Sequence, residues 1–75
     1  MTYDQIRKAL ERGKFIHANC LLYKLDKEGI LQYRTKAEGW RTTEDSLSEF
    51  CDFWSNKGVV IVSTLKAFKE SNRAW

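Results

Sequence analysis

The chain has 75 residues, a formal net charge of +3, 43% apolar and 31% charged residues, no proline and two cysteines. That balance excludes a disordered tail, a disulfide-stapled scaffold and a chain of several domains. No apolar run reaches the roughly 20 residues that a membrane-spanning helix requires. The charged, amphipathic start "MTYDQIRKALERGK" lacks the apolar block of a secretory signal.

The expectation is one compact domain over residues 1–75, kept in a reducing cytoplasm with Cys20 and Cys51 as thiols. A chain this short buries only about 60% of the surface of its unfolded form. Four Phe, three Tyr and three Trp help, because each ring buries roughly 150–250 Å². Both cysteines are expected to be small buried residues. The charge is divided. Residues 42–56 hold Glu44, Asp45, Glu49 and Asp52 and no Lys or Arg, so all 13 basic residues lie in the remainder. A basic body, with a pI near 9.0 for the whole chain, favours an acidic partner.

The first element reads as a helix. Thr2 and Gln5 have capping-box spacing, and Tyr3, Ile6, Ala9 and Leu10 form an apolar stripe. Gly13 is placed to end it in the left-handed conformation. Residues 14–25 and 30–38 then read as two strands joined by the turn "DKEG", opened by Asp26 and completed by Gly29.

Pairing Leu25 with Ile30 gives a hairpin with an apolar face of Ile16, Ala18, Cys20, Leu22, Leu31, Tyr33, Thr35 and Ala37. The other face collects His17, Asn19, Leu21, Tyr23, Gln32, Arg34, Lys36 and Glu38. A slip of one residue sets Gln32, Arg34 and Lys36 on the apolar side, at a cost of several kcal/mol if they are buried unpaired.

After the loop "EGWRTT", a second helix is expected with Thr42 or Thr43 as cap and Glu44 and Asp45 in its first turn. Leu47, Phe50, Cys51 and Trp54 form its buried stripe, Phe53 lies on the flank, and Gly58 is the expected stop. The run "VVIVSTL", residues 59–65, reads as a buried central strand. The tail 66–75 reads as a strand extension or, preferably, a short helix carrying Phe68 and Trp75. The predicted class is therefore α+β. It has a small, mainly antiparallel three-stranded sheet with two helices, or three with the tail, packed on one face in the order α-β-β-α-β(-α).

Few residues suggest chemistry. Zinc requires about four ligands, and the chain offers one His, two Cys and scattered carboxylates. His17 and Cys20 are expected on opposite faces, so no metal, cofactor or Cys–His pair is predicted. A strand histidine on a basic face can act as a general base on RNA, but a surface His without a catalytic role is commoner. The four glycines stand singly at 13, 29, 39 and 58, which excludes a glycine-rich phosphate loop.

The open hairpin face mixes aromatic, amide and cationic groups. The function expected from it is non-enzymatic protein binding, of inhibitor or adaptor type. Its contact residues are His17, Asn19, Leu21, Tyr23, Gln32, Arg34 and Lys36, with Trp40 at the edge. By analogy of size alone, accessory proteins of phages and mobile elements are often of this kind. The alternative is RNA or single-stranded DNA binding by the same strip, aided by Arg7, Lys8, Arg12, Lys14 and Arg41. The chain is expected as a monomer, or as a homodimer through the sheet.

Overall fold

A computed structural model describes residues 1–71 as α1 (Tyr3–Glu11), β1 (Phe15–Ala18), β2 (Leu21–Leu25), β3 (Leu31–Arg34), β4 (Arg41–Thr42), α2 (Leu47–Trp54), β5 (Val60–Val62) and α3 (Leu65–Ser71). The class is α+β as expected, but the antiparallel sheet has five strands rather than three, in the order β4-β3-β2-β1-β5.

The first helix follows its local code. The Thr2 hydroxyl accepts the Gln5 N–H while the Gln5 side chain accepts the Thr2 N–H, and Gly13 takes φ 82° just beyond the end. Ile6, Ala9 and Leu10 are buried, as the stripe requires.

The expected strand over residues 14–25 is two strands. Ala18 pairs with Leu21, and both residues of the intervening turn, Asn19 and Cys20, have positive φ (50° and 63°). This two-residue turn matches the right-handed twist of the strands it joins. It also resets the alternation, so Leu21, Tyr23 and Leu25 share the face of Ile16 and Ala18, while Leu22 and Lys24 share that of His17. Cys20 is accordingly exposed in the turn rather than buried.

The next turn forms as expected, with Asp26 Oδ1 accepting the N–H groups of Glu28 and Ile30 and Gly29 at φ 81°. The register beyond it differs by one residue. Leu25 pairs with Leu31, Tyr23 with Tyr33 and Leu22 with Arg34. That slip does not bury Gln32 and Arg34, because the turn at Asn19–Cys20 has already inverted β2. The second strand also stops at Arg34, so Thr35, Lys36, Ala37 and Glu38 form a loop. There the Thr35 hydroxyl accepts the Ala37 and Glu38 N–H groups.

Arg41 and Thr42, expected in a loop and a cap, form the edge strand β4. The cap of α2 is Ser46, whose hydroxyl accepts the Glu49 N–H and whose own N–H reaches the Glu49 carboxylate. Glu44 and Asp45 therefore precede the helix instead of forming its first turn. Asn56, at φ 62°, rather than Gly58, takes the left-handed position after α2. We expect Ser46→Ala to lower stability by about 1 kcal/mol. The loss should appear as a lower urea midpoint with an unchanged slope.

Helices α1 and α2 pack together on one face over Ile16, Ala18 and Leu31, with Phe50, Cys51 and Val59 completing the core. Phe53 is 60% exposed, as its position on the flank implies. The run 59–65 supplies only a three-residue strand, and at the sheet edge rather than its centre. It is cut short because the Thr64 hydroxyl accepts the Ala67 N–H and starts α3. The preferred helix in the tail is present. Its Phe68 is buried, while Trp75 lies outside the described residues. The third helix departs from the one-sided arrangement, because Phe68 meets His17 on the face opposite Ile16.

Candidate functional site

Directly opposed residues of an antiparallel pair share a face. The register therefore defines the face turned away from α1 and α2. One row runs Arg34, Leu22, His17, Val60, and beside it Thr42, Gln32 and Lys24 line up, as do Phe15 and Val62. His17, Gln32 and Arg34 of the expected contact strip are gathered here.

Trp40 joins them from the residue before β4. Its ring stacks on Phe15 at 5.9 Å between centroids and 21° between planes. Lys24 Nζ sits 4.5 Å and the Arg34 guanidinium 5.7 Å from the indole centroid. Such cation–π contacts contribute about 0.5–1 kcal/mol each at exposed sites, so they fix the indole's orientation more than they stabilise the fold. At the other end Phe68 meets His17 at 4.9 Å in an edge-on arrangement. Leu22, in the row between His17 and Arg34, is fully buried, so this face carries a small apolar layer of its own.

The rest of the strip lies elsewhere. Leu21 and Tyr23 are on the helix-covered side, where the Tyr23 ring lies 4.5 Å from Phe50. Burial pushes the Tyr23 hydroxyl above its ordinary pKa, with the Asp45 carboxylate acting in the same direction. Asn19 is in the turn and Lys36 in the loop after β3. The reset at Asn19–Cys20 explains the displacement of Asn19, Leu21 and Tyr23, since a straight strand keeps residues 17, 19, 21 and 23 on one side. Lys36 is displaced because β3 ends at Arg34.

The five basic residues do not form one patch. Arg7 Nη1 donates to the Tyr3 hydroxyl at 3.1 Å and lies 3.6 Å from the Glu11 carboxylate. Those contacts hold its pKa above the usual guanidinium value, the Tyr3 bond contributing most. Arg41 pairs with Glu38 at 3.1 Å. Lys8, Arg12 and Lys14 surround a depression beside Ile61, next to the sheet's outer edge.

Phe15, Lys24, Leu22 and Phe68 are among the residues of this face that the strip omitted, with Thr42, Val60 and Val62 beside them. Phe15 and Lys24 were legible as strand residues, but their placement beside Trp40 depends on the reset register and on β4. Among the described residues, no group of three or more His, Cys, Asp and Glu stands close enough to hold a metal.

The thiols differ. Burial raises the Cys51 pKa, with the Arg7 charge opposing the rise, whereas Cys20 is exposed. Iodoacetamide should therefore add one group to the folded chain, at exposed Cys20, and reach Cys51 only after unfolding. Mass spectrometry of the tryptic peptides reads the result, and equal rates at the two sites contradict the fold.

No helix among the described residues is long and apolar enough to cross a membrane. Compared with known proteins, the chain matches no family model, no curated protein and no solved structure.

Proposed function

We propose that the protein is a small non-enzymatic binding module, of inhibitor or adaptor type, that engages another protein through the sheet face opposite α1 and α2. One observation carries this reading. Trp40 is held half-exposed on that face by Phe15, Lys24 and Arg34, which makes it a preorganised aromatic and cationic anchor. Trp and Arg are enriched among residues that dominate binding energy, and an anchor already fixed in place loses little entropy on binding. Gln32 and Thr42 add polar groups at its border. A reducing compartment suits a chain with one exposed free thiol, so the cytoplasm is the proposed location.

The nucleic-acid reading uses the same platform, with bases stacked on Trp40 and phosphates held by cations. It is less favoured, because Lys8, Arg12 and Lys14 lie beside Ile61 and Arg7 and Arg41 are ion-paired away from the ring.

The test compares the wild type with a Trp40→Ala/Arg34→Ala double variant, each immobilised and exposed to lysate with and without nuclease. Supporting results are bound proteins that resist nuclease, are lost with the double variant, and leave labelled oligonucleotides unbound at low and high salt. Capture unaffected by the double variant removes the reading. Oligonucleotide binding that falls steeply with salt turns it to nucleic acid.

A further inference from the structure

The two edges of the sheet are not alike. At one end β4 is two residues long and carries Arg41 tied to Glu38, the short, charged form that discourages strand addition. At the other, β5 lies in an uncharged run, residues 59–65, with Val60 57% and Ile61 39% exposed. Its inner side pairs with β1, and among the described residues no strand pairs with its outer side. An open, apolar edge of this kind is a template for another strand.

The ground on either side of β5 is chemically different. On the open face, Val60, Val62, Ala67 and Phe68 help to line a groove of about 430 Å³ between β5 and α3. On the helix-covered face, Ile61 borders the depression ringed by Lys8, Arg12 and Lys14. None of these three cations forms an ion pair with a described residue, and no acidic residue lines the depression.

We infer that the outer edge of β5 receives an extended segment of another protein in which apolar and acidic side chains alternate. Successive side chains of an added strand point to opposite faces. Such a segment sets its apolar residues toward the α3 groove and its carboxylates toward Lys8, Arg12 and Lys14. Val60 and Val62 share the face of the Trp40 platform, but the cations that select the segment, Lys8, Arg12 and Lys14, lie toward the opposite face, so the site does not rest on the function proposed for Trp40.

A second copy of the chain is the poorer occupant. Antiparallel pairing of β5 with itself across a two-fold axis places both α1 helices on one face. It brings Lys8, Arg12 and Lys14 of each copy toward one another, while residues 59–65 supply no acid to offset them.

The probes are two short synthetic peptides, one alternating Val and Glu and the other alternating Val and Lys, titrated into the isotope-labelled protein and followed by amide NMR. The expected result is binding of the acidic peptide only, with shifts and slowed hydrogen exchange at residues 59–63. Its affinity should weaken as salt rises. In Lys8→Glu/Arg12→Glu/Lys14→Glu it should drop about tenfold, with an unchanged circular dichroism spectrum. Trp40→Ala should leave it unaltered, which separates this site from the platform.

The two-peptide comparison needs no variant and so remains decisive if the triple variant fails to fold. Equal binding of both peptides, binding of neither, or shifts confined to Trp40 and Arg34 overturns the inference. So does a dimer in sedimentation with residues 59–63 already protected in the absence of peptide.

Discussion

Leu22→Ala and Tyr23→Ala are both expected to be strongly destabilising, although the two residues are consecutive in one strand. Leu22 is fully buried on the face of His17 and Arg34, and truncating a buried leucine costs about 2–5 kcal/mol through lost transfer energy and the cavity left behind. Tyr23 points the other way, with its ring 4.5 Å from Phe50 and 6.5 Å from Tyr33. It is only partly buried, so its loss should cost about 2–3 kcal/mol, part of it from the aromatic pairs. A domain of this size has a total stability of only about 4–11 kcal/mol, so either change shifts the urea midpoint far. A sheet covered on one side predicts a different outcome, in which one of two neighbouring strand residues is nearly neutral. A change below about 0.5 kcal/mol at either position contradicts the second apolar layer.

Opposite signs are expected for two substitutions at Cys20. Its φ of 63° lies in the left-handed region, where a side chain with a Cβ costs about 1–2 kcal/mol. Cys20→Gly removes that cost and creates the Asn-Gly pair most favoured in two-residue hairpins. It should stabilise by up to about 1 kcal/mol after the entropy lost by glycine is subtracted. Cys20→Val should destabilise by about 1 kcal/mol or more, because a β-branched side chain fits this conformation worst. Thermal unfolding of the three proteins side by side gives the order Gly above Cys above Val. The reverse order means that residues 14–25 form a continuous strand, with the tight turn absent.

Elements governed by nearest neighbours were legible in the chain. The Thr2–Gln5 box, the apolar stripes of α1 and α2, the Asp26–Gly29 turn and the short last helix all follow from residues within four positions of one another. The turn at Asn19–Cys20 was hidden because the usual glycine is absent, and one unrecognised two-residue turn inverts every side chain that follows in β2. In the same way the cap at Ser46 was masked by two threonines a few positions earlier, one of which the sheet takes up as β4.

The candidate site divides along the same line. His17, Gln32 and Arg34 remained together on the open face, because β1 and β3 kept the alternation that the sequence implies. Tyr23 and Leu21 left it with β2. The meeting of Trp40 with Phe15, Lys24 and Arg34 joins residues from four separate segments, and no local pattern encodes it.

By itself the sequence determined an α+β chain with capped amphipathic helices, a hairpin and an uneven spread of charge. Tertiary structure alone decided that β5 lies at an edge, that Phe68 and Trp40 cover the face away from α1 and α2, and that Lys8, Arg12 and Lys14 gather beside Ile61. The physical reason is range. Capping and periodicity act over a turn or two of backbone, whereas strand order and face are selected by which surfaces exclude water together when distant segments meet.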